Sequence, residues 1–315
     1  MVLVSARPAK RSIMPKLVNL GSLCIDHVYQ VPSVAGVGET VASFGHVVFP
    51  GGKGLNQSLA AAYARAAVHH VGCIGDDGAM LMEVLDAANV NVTGVVRRGA
   101  DSGHAVIQVS SAGENAIVIA GGANRRIEDA DVERAFALLG AGDWLLIQNE
   151  INDIERVLSQ AATEGIALAF NVAPVDGRES GYELTGVRLL LVNEIEAASL
   201  AGVADPAQAL DRLALRLPET DIVLTLGSAG LLFKSSTGKG KLGAYSVDVV
   251  DETAAGDAFI GYLMAELLAG QTLESGLEHA SAAGALAVTV PGAANSIPKR
   301  RAVDEFLENN TLLRR

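Results

Sequence analysis

The sequence predicts an α/β protein with a doubly wound, mostly parallel sheet that is flanked by helices. Short apolar runs end in glycine or a polar residue, and helix-like segments between them begin with Asp, Asn or Glu and end with Gly or Pro. The apolar runs are continuous rather than alternating, which is typical of strands buried on both faces. With 315 residues, 50% of them hydrophobic, the chain is long enough to bury a large core.

The elements of this sheet can be followed in order along the chain. Near the N-terminus, residues 16–21 predict a strand, residues 54–67 a helix and residues 68–75 another strand. Further strands are predicted at residues 143–148, 166–171, 188–193 and 221–227. Helix-like segments separate these later strands, which is the alternation expected of a parallel sheet.

Two regions interrupt the alternation. Residues 28–49 and 103–121 contain apolar stretches with Gly and Ser turns, which is typical of antiparallel strands. We expect them to form a small sheet, inserted at two points of the chain, that acts as a lid over a ligand. The main domain is therefore expected to span residues 16–310, and residues 1–15 are expected to be a disordered extension.

Composition excludes several classes of partner. The formal net charge of −12 argues against nucleic acid or an anionic membrane as the main partner. No apolar run is long enough to cross a bilayer. Cys24 and Cys73 lie far apart and match no disulfide or zinc spacing, so a reducing cytoplasm is the simplest location.

The stretch VDETAAGDAFIGYLMAELLAG, residues 250–270, carries the strongest chemical signal. Small residues before a helix allow backbone N–H groups to converge on an anion, and the helix dipole adds positive potential. An acid at that point suits a base that removes a proton from an attacking hydroxyl. We therefore interpret Ala254, Ala255 and Gly256 as an anion hole and Asp257 as a general base for phosphoryl transfer. The alternative is that Asp257 only caps a helix.

The stretch GGKGLNQ precedes a predicted helix. Gly51, Gly52 and Gly54 permit close approach of the backbone to a ligand, and Lys53 and Asn56 offer hydrogen-bond donors that suit sugar hydroxyls. The spacing is not that of a Walker P-loop. A purely structural turn explains the glycines equally well.

A third signal is VNEIEA, in which Asn193 and Glu196 lie on one helix face. Oxygen ligands at this spacing could hold the water shell of Mg²⁺ and nucleotide phosphates. A capping box fits the same pair, and spacing alone leaves both interpretations open.

Together, GGKGLNQ and DETAAGDAF resemble the two signatures of the ribokinase (PfkB) family of carbohydrate kinases. Six shorter stretches also occur in the order found in the family: GSLCIDH, GDDG, GGAN, NVAP, VNEIEA and TLGSAG. The resemblance covers about residues 17–307. It implies a ribokinase-like domain and an ATP-dependent kinase acting on the terminal hydroxyl of a pentose, with D-ribose as the first candidate. It also implies ATP, Mg²⁺ and an activating K⁺ as cofactors, and a cytoplasmic homodimer joined through the lid sheet, the β-clasp.

The resemblance assigns roles to individual residues. Sugar-binding positions match Cys24, Ile25, Asp26, Gly52, Lys53, Gly54, Asn56 and Glu150, with Asp257 as the base. Nucleotide-binding positions match Asn193, Thr225, Leu226, Gly227, Ser228, Ala229, Gly230, Gly256 and Ser281, and Glu196 matches an indirect Mg²⁺ contact. A K⁺ site matches Asp251, Thr253, Ala287, Val290, Gly292 and Ser296.

Departures from the family pattern bear on substrate choice. Cys24 replaces a usual Asn, which removes one side-chain hydrogen bond to the sugar. Ser281 replaces a frequent His or Asn, and Ala258 a frequent Thr. A nucleoside kinase is the alternative within the family, whereas a phosphosugar kinase would need more cationic residues than Lys53. An alternative of another class is a non-catalytic sugar-binding protein, against which the intact Gly256 and Asp257 argue.

Overall fold

The structure is a computed structural model that describes residues 14–99, 101–310 and 312. Residues 1–13 of the expected extension at residues 1–15 therefore lie outside the described residues. The strands are β1 (Lys16–Leu20), β2 (Cys24–Val31), β3 (Gly45–Gly51), β4 (Ala67–Ile74), β5 (Asn91–Arg97), β6 (Gly103–Ser110), β7 (Asn115–Ala120), β8 (Trp144–Gln148), β9 (Ala167–Asn171), β10 (Val187–Asn193), β11 (Asp221–Thr225), β12 (Leu231–Ser235) and β13 (Gly238–Leu242). The α-helices are α1 (Lys53–Tyr63), α2 (Ala79–Ala87), α3 (Asp129–Ala137), α4 (Ile154–Glu164), α5 (Glu194–Ala201), α6 (Pro206–Arg216), α7 (Ala255–Leu268), α8 (Leu273–Ala287) and α9 (Arg300–Asn309). Short 3-10 helices lie at Gly122–Arg125, Arg178–Gly181, Gly227–Ala229 and Ala294–Ser296.

The large sheet has the strand order β13-β12-β11-β10-β9-β8-β1-β4-β5. Its strand pairs are parallel except at one edge, where β12 is antiparallel to both β11 and β13 and forms a hairpin with β13. β1 lies between β4 and β8, both parallel to it, so the chain winds away from β1 in two directions. This confirms the doubly wound, mostly parallel sheet, and ligands in such folds bind beyond the carboxyl ends of the strands at the point of reversal.

Helices cover both faces of the large sheet. Leu17 of β1 packs in one core with residues of α1, α7 and α8. Val18 and Leu20 pack in a second core with residues of α3, α4 and α6. Neighbouring residues of one strand thus enter opposite cores, which is why the predicted strands are continuously apolar.

The second sheet has the order β3-β2-β6-β7 and is called the small sheet below. β2 pairs with β3 and β6 pairs with β7 in the antiparallel sense, as expected, but β2 and β6 are parallel. The parallel pairing arises because both strands enter the small sheet directly from parallel strands of the large one. β2 also begins at Cys24, earlier than the predicted region, so that it includes Asp26.

None of the described helices is both long and apolar enough to span a membrane. The edge hairpin was not predicted because β13, GKGKL, has the composition of a turn. Glycine and lysine are tolerated there because an edge strand is paired on one side only.

Candidate active site

The residues proposed for sugar binding and catalysis lie at the carboxyl end of β1 and β8, where α1 and α7 begin. α1 starts directly against the turn that joins β1 to β2, and the amide of Leu55 donates to the carbonyl of Ser22 over 2.9 Å. A Cβ atom at Gly54 would lie 2.6 Å from the carbonyl oxygen of Ser22, so only glycine fits this approach. Gly52 has a φ of 92°, which turns the chain into the helix.

Asp257 lies in the first turn of α7 and is 8% exposed. Ala254, just before the helix, has a left-handed φ of 61°, which bends the chain sharply into it. A Cβ atom at Gly256 would meet nothing within 4 Å, so the space in front of this residue is open. The first N–H groups of an α-helix have no partner within the helix. That of Ala255 donates to the carbonyl of Glu252 over 3.3 Å, so those of Gly256 and Asp257 are the ones that remain for a ligand on this side.

Two amide side chains of α1 hold the carboxylate of Asp257. Nδ2 of Asn56 donates to Oδ2 over 2.9 Å, and Nε2 of Gln57 donates to Oδ1 over 2.9 Å. This contact depends on the close crossing of α1 and α7 at Gly261, where a Cβ atom would lie 2.6 Å from the carbonyl oxygen of Gln57. The helices thus bring base and amides together at a point where no larger side chain fits.

Buried acids give the site unusual electrostatics. Burial raises the pKa of Asp257, and Lys53, Asn56 and Gln57 oppose that rise. Burial, together with the charges of Glu150 and Asp257, raises the pKa of Asp26 to about 7. Burial lowers the pKa of Lys53, but the surrounding acids raise it more, so its net shift is upward. Lys53 therefore stays charged and is the main counterion of the acids.

Glu150 follows β8 and contacts the start of α1. Its Oε2 accepts from the hydroxyl of Ser22 and, over 3.0 Å, from the amide of Lys53. The carboxylate is therefore fixed at a helix N-terminus, where negative charge is stabilised.

Cys24, Ile25 and Asp26 belong to β2 of the small sheet. The thiol of Cys24 is buried and accepts from Nδ2 of Asn124 over 3.3 Å. Burial and the neighbouring acids raise its pKa well above the usual range, so it remains a neutral thiol. A Cβ atom at Gly51 would lie 2.6 Å from Cγ of Asp26, so this glycine makes room for the carboxylate.

The residues proposed for nucleotide binding lie further along the same edge. Asn193 ends β10 and is paired in register with Thr225 at the end of β11. Residues 225–230 form a tight turn in which the amide of Leu226 donates to the carbonyl of Gly230 over 2.8 Å. Ser281 lies on α8, and a Cβ atom at Gly284 on the same helix would be 3.3 Å from the carbonyl oxygen of Ala255.

Asn193 and Glu196 form a reciprocal capping box at the start of α5. Oε2 of Glu196 accepts from the amide of Asn193 over 2.8 Å, and the Asn193 side chain accepts from the amide of Glu196 over 3.0 Å. The capping interpretation of this pair is therefore confirmed. The contact occupies one oxygen of Glu196, which leaves the other for a ligand.

The residues proposed for K⁺ lie on two loops that are tied together. Oδ1 of Asp251 accepts from the amide and hydroxyl of Thr253, and Oδ2 accepts from the amide of Gly292 over 2.8 Å. The amide of Asp251 donates to the carbonyl of Val288 over 3.1 Å. Burial raises the pKa of Asp251, but these donors lower it more, so the carboxylate is held ionised. The remaining residues of the proposed set, Ala287, Val290 and Ser296, lie at the end of α8 and in the segment after it.

Three residues that shape the site were not predicted from the sequence: Gln57, Ser22 and Asn124. Asn56 and Gln57 are adjacent on a helix, where neighbours point about 100° apart, so a shared target was not expected. Lys53, Asn56 and Ser58 on the same helix are also polar, so the amide of Gln57 gave no separate signal in the sequence. Among the described residues, no group of three or more His, Cys, Asp or Glu side chains is placed to hold a metal ion.

A hydroxyl group that reaches Asp257 from the open side of Gly256 can lose its proton to the carboxylate while helix N–H groups face the transferred group. Fold and site together define a kinase that phosphorylates a hydroxyl group. The family model described as "pfkB family carbohydrate kinase" matches residues 14–300. The chain belongs to the pfkB family of carbohydrate kinases.

Individual relatives agree with this family. The ribokinase of Haemophilus influenzae is 34% identical over 308 residues, covering 93% of this chain and 98% of its own length. The structure of Arabidopsis thaliana ribokinase complexed with ribose and ATP superposes with a TM-score of 0.81 at 28% identity, covering 94% of this chain and 99% of that one. Ribokinase from Cryptococcus neoformans in complex with ADP gives a TM-score of 0.79 at 30% identity, covering 92% and 99%.

Proposed function

We propose that this protein transfers the γ-phosphoryl group of ATP to the terminal hydroxyl of D-ribose, giving D-ribose 5-phosphate and ADP. The observation that carries the proposal is the buried carboxylate of Asp257, held by two amide donors beside the open N-terminus of α7. Identity to ribokinases over most of the chain supports ribose as the acceptor. The ribose and ATP in the Arabidopsis structure support the same pair of substrates.

Asp257 acts as the general base in this proposal. The hydroxyl oxygen forms a bond to the γ-phosphorus, the bond from that phosphorus to the bridging oxygen of ADP breaks, and the hydroxyl proton passes to Asp257. The backbone N–H groups at Ala254 and Gly256 stabilise charge on the transferred group, whereas that of Ala255 donates to the carbonyl of Glu252. Their orientation is set by the left-handed bend at Ala254.

The sugar lies among Asp26, Lys53, Asn56 and Glu150 in this proposal. Oδ1 of Asn56 is buried and has no partner among the described residues, which suits acceptance from a sugar hydroxyl. Two carboxylates can each accept from adjacent hydroxyls, and Lys53 balances their charge. Cys24, Ile25, Gly52 and Gly54 shape the walls.

ATP lies along Asn193, residues 225–230 and Ser281, with its γ-phosphate toward Gly256. Mg²⁺ usually keeps several waters and binds through substrate phosphates with one or two carboxylates, so Glu196 alone is a sufficient protein contact through water. The ion would neutralise charge on the phosphates when bound. The second oxygen of Glu196 fits this role because the capping box uses only one.

K⁺ binds, in this proposal, between the loop at Asp251 and Thr253 and the segment from Ala287 to Ser296. The loops are already joined by the bond from Gly292 to Asp251. Backbone carbonyls with one ionised carboxylate suit a monovalent cation. The site adjoins Ala254, so the ion would order the anion hole from behind.

The small sheet is proposed to close over the sugar and to join two subunits as the β-clasp. On its Asp26 face it exposes Val47, Ile117 and Ile119, at 43%, 53% and 55%. Side chains of this kind favour a partner surface. A reducing cytoplasm remains the proposed location, because Cys24 and Cys73 are both free thiols.

The test is a coupled ADP-release assay over pentoses, hexoses and nucleosides, with and without K⁺. We expect D-ribose to have the highest kcat/KM. Turnover of nucleosides alone would favour the nucleoside kinase, and binding of a sugar without any turnover would favour the non-catalytic alternative.

The Asp257→Asn variant tests the base itself. It should lower kcat by at least about a hundredfold with little change in sugar affinity, which calorimetry measures. The matched control is Glu252→Gln, an exposed acid of the loop before α7, which should keep wild-type turnover. Wild-type kcat in the Asp257 variant would refute the assigned role.

A further inference from the structure

Gln57 makes a contact with Asp257 that the proposed mechanism leaves unexplained. Its side chain is 0% exposed, and its Nε2 lies 2.9 Å from Oδ1 of the carboxylate. Asn56 donates to the other oxygen, so each oxygen of the base accepts one amide hydrogen. Both oxygens keep a lone pair for a substrate proton.

The direction of the Gln57 amide is set by groups behind it. Nδ2 of Asn19 donates to the carbonyl of Gly54 over 2.8 Å, and a backbone carbonyl can only accept. The oxygen of Asn19 therefore faces Gln148, whose Nε2 donates to it over 3.0 Å. The same Nε2 donates to Oε1 of Gln57 over 2.8 Å, so the NH₂ group of Gln57 must face Asp257.

A second chain of hydrogen bonds sets the same direction. Nδ2 of Asn171 donates to the carbonyl of Leu191 over 3.4 Å, which turns its oxygen toward Gln57. Nε2 of Gln57 donates to that oxygen over 3.1 Å. Two backbone carbonyls, on α1 and β10, thus fix one amide from two sides.

We propose that Gln57 is a positioning residue that orients Asp257 toward the acceptor hydroxyl and obliges its Oδ1 to remain a hydrogen-bond acceptor. This inference rests on the proposed function, since it needs Asp257 to be the base. Burial favours the neutral acid, whereas a donor to the charged form favours the carboxylate. Together with Lys53 and Asn56, Gln57 therefore opposes the pKa rise that burial and the charge of Glu150 impose on Asp257.

Two substitutions test the proposal. Gln57→Leu removes the donor, and the acid limb of kcat/KM against pH should move up by about one pH unit, with kcat about tenfold lower. Gln57→Glu keeps the shape but places a second carboxyl against Asp257, so the two share a proton and the limb should move further up. The KM for sugar should change by less than about threefold, because Gln57 acts on the base.

Ser58→Ala is the matched control. Ser58 follows Gln57 on α1, is buried and bonds Asn19 and His70, but it does not touch Asp257. Its loss should lower the melting temperature and leave the acid limb in place. If Gln57→Leu does not fold, the acid limb of kcat/KM against pH is measured in the near-isosteric Gln57→Glu variant instead.

The outcomes separate the two proposals. An unmoved acid limb in a folded Gln57 variant overturns the positioning role, provided that Asp257→Asn shows its roughly hundredfold loss of kcat. Wild-type kcat in Asp257→Asn overturns the proposed role of Asp257 and this inference with it. A limb that moves in the Gln57 variants and stays in Ser58→Ala supports the inference.

Discussion

Replacing Gly261 with alanine should separate the base from the side chains that hold it. Gly261 lies one turn after Asp257 on α7, where that helix crosses α1. The new Cβ atom would lie 2.6 Å from the carbonyl oxygen of Gln57 and 2.7 Å from the amide nitrogen of Ala61, with Cβ of Ala60 closer still. Favourable contacts between carbon atoms lie at about 3.5 to 4.0 Å, so the helices must move apart by roughly 1 Å.

The size of the effect of Gly261→Ala depends on which of the obstructing atoms can move. The obstructing atoms belong to the backbone of α1 or are fixed to it, so rotating a side chain cannot relieve the clash. Overpacking of this kind costs about 1 to 3 kcal/mol, and the usual gain of about 1 kcal/mol for Gly to Ala in a helix offsets part of it. A shift of about 1 Å at the base can cost roughly a hundredfold in rate. We therefore expect a modest loss of stability and a large loss of kcat.

Melting temperature and kcat, measured together, test this expectation. The control is Gly276→Ala on α8, where the nearest atom to a new Cβ is Cδ1 of Leu263 at 3.0 Å, the end of a flexible side chain. That variant should stay near wild type in both measurements. Wild-type kcat in Gly261→Ala would show that the close crossing of α1 and α7 does not set the position of the base.

Three further predictions concern the cation, the pH dependence and the sugar. Asp251→Ala removes the acceptor of Thr253 and Gly292, so rate against K⁺ concentration should lose its stimulation; an unchanged salt response would remove the assignment. Because the pKa of Asp26 is raised from 3.8 to about 7, its stabilising contribution is complete below about pH 4 and lost as the pH rises through about 7. Asp26→Asn should therefore raise the free energy of unfolding, measured with urea, by at most about 4 kcal/mol at pH 8 and leave it unchanged below about pH 4. An equal change at the two pH values would contradict the raised pKa of Asp26. Cys24→Asn restores an amide in the sugar pocket and should raise the ratio of kcat/KM for D-ribose to kcat/KM for a deoxypentose by roughly tenfold or more. An unchanged ratio would show that Cys24 does not affect the discrimination between these sugars.

Much of the fold could be predicted because local patterns carry it. β1, β4 and β8 to β11 are buried on both faces, so their apolar runs are visible without any knowledge of neighbours. The parallel pairing of β2 with β6 could not be predicted, since it depends on the directions in which two distant strands leave the large sheet. The hairpin of β12 and β13 was not predicted because β13, GKGKL, has the composition of a turn, although β12, LLFKS, is largely apolar.

The candidate site divides in the same way. Asp257 could be singled out because small residues and a helix start surround it in sequence. Gln57 could not, because its contacts reach Gln148 and Asn171 on separate strands and exist only after the sheet has formed. Sequence patterns therefore reveal the reactive group more readily than the groups that orient it.

Some of the proposed sugar contacts lie on a different part of the chain from the base. Cys24 and Asp26 belong to the small sheet, whereas Asp257 is anchored through α1 to backbone carbonyls of the main domain. A change on β2 therefore leaves the support of Asp257 intact. Substrate preference should be open to redesign, or to drift, by substitutions on β2 without rebuilding the chemistry, and a library restricted to that strand is the natural place to seek kinases for other sugars.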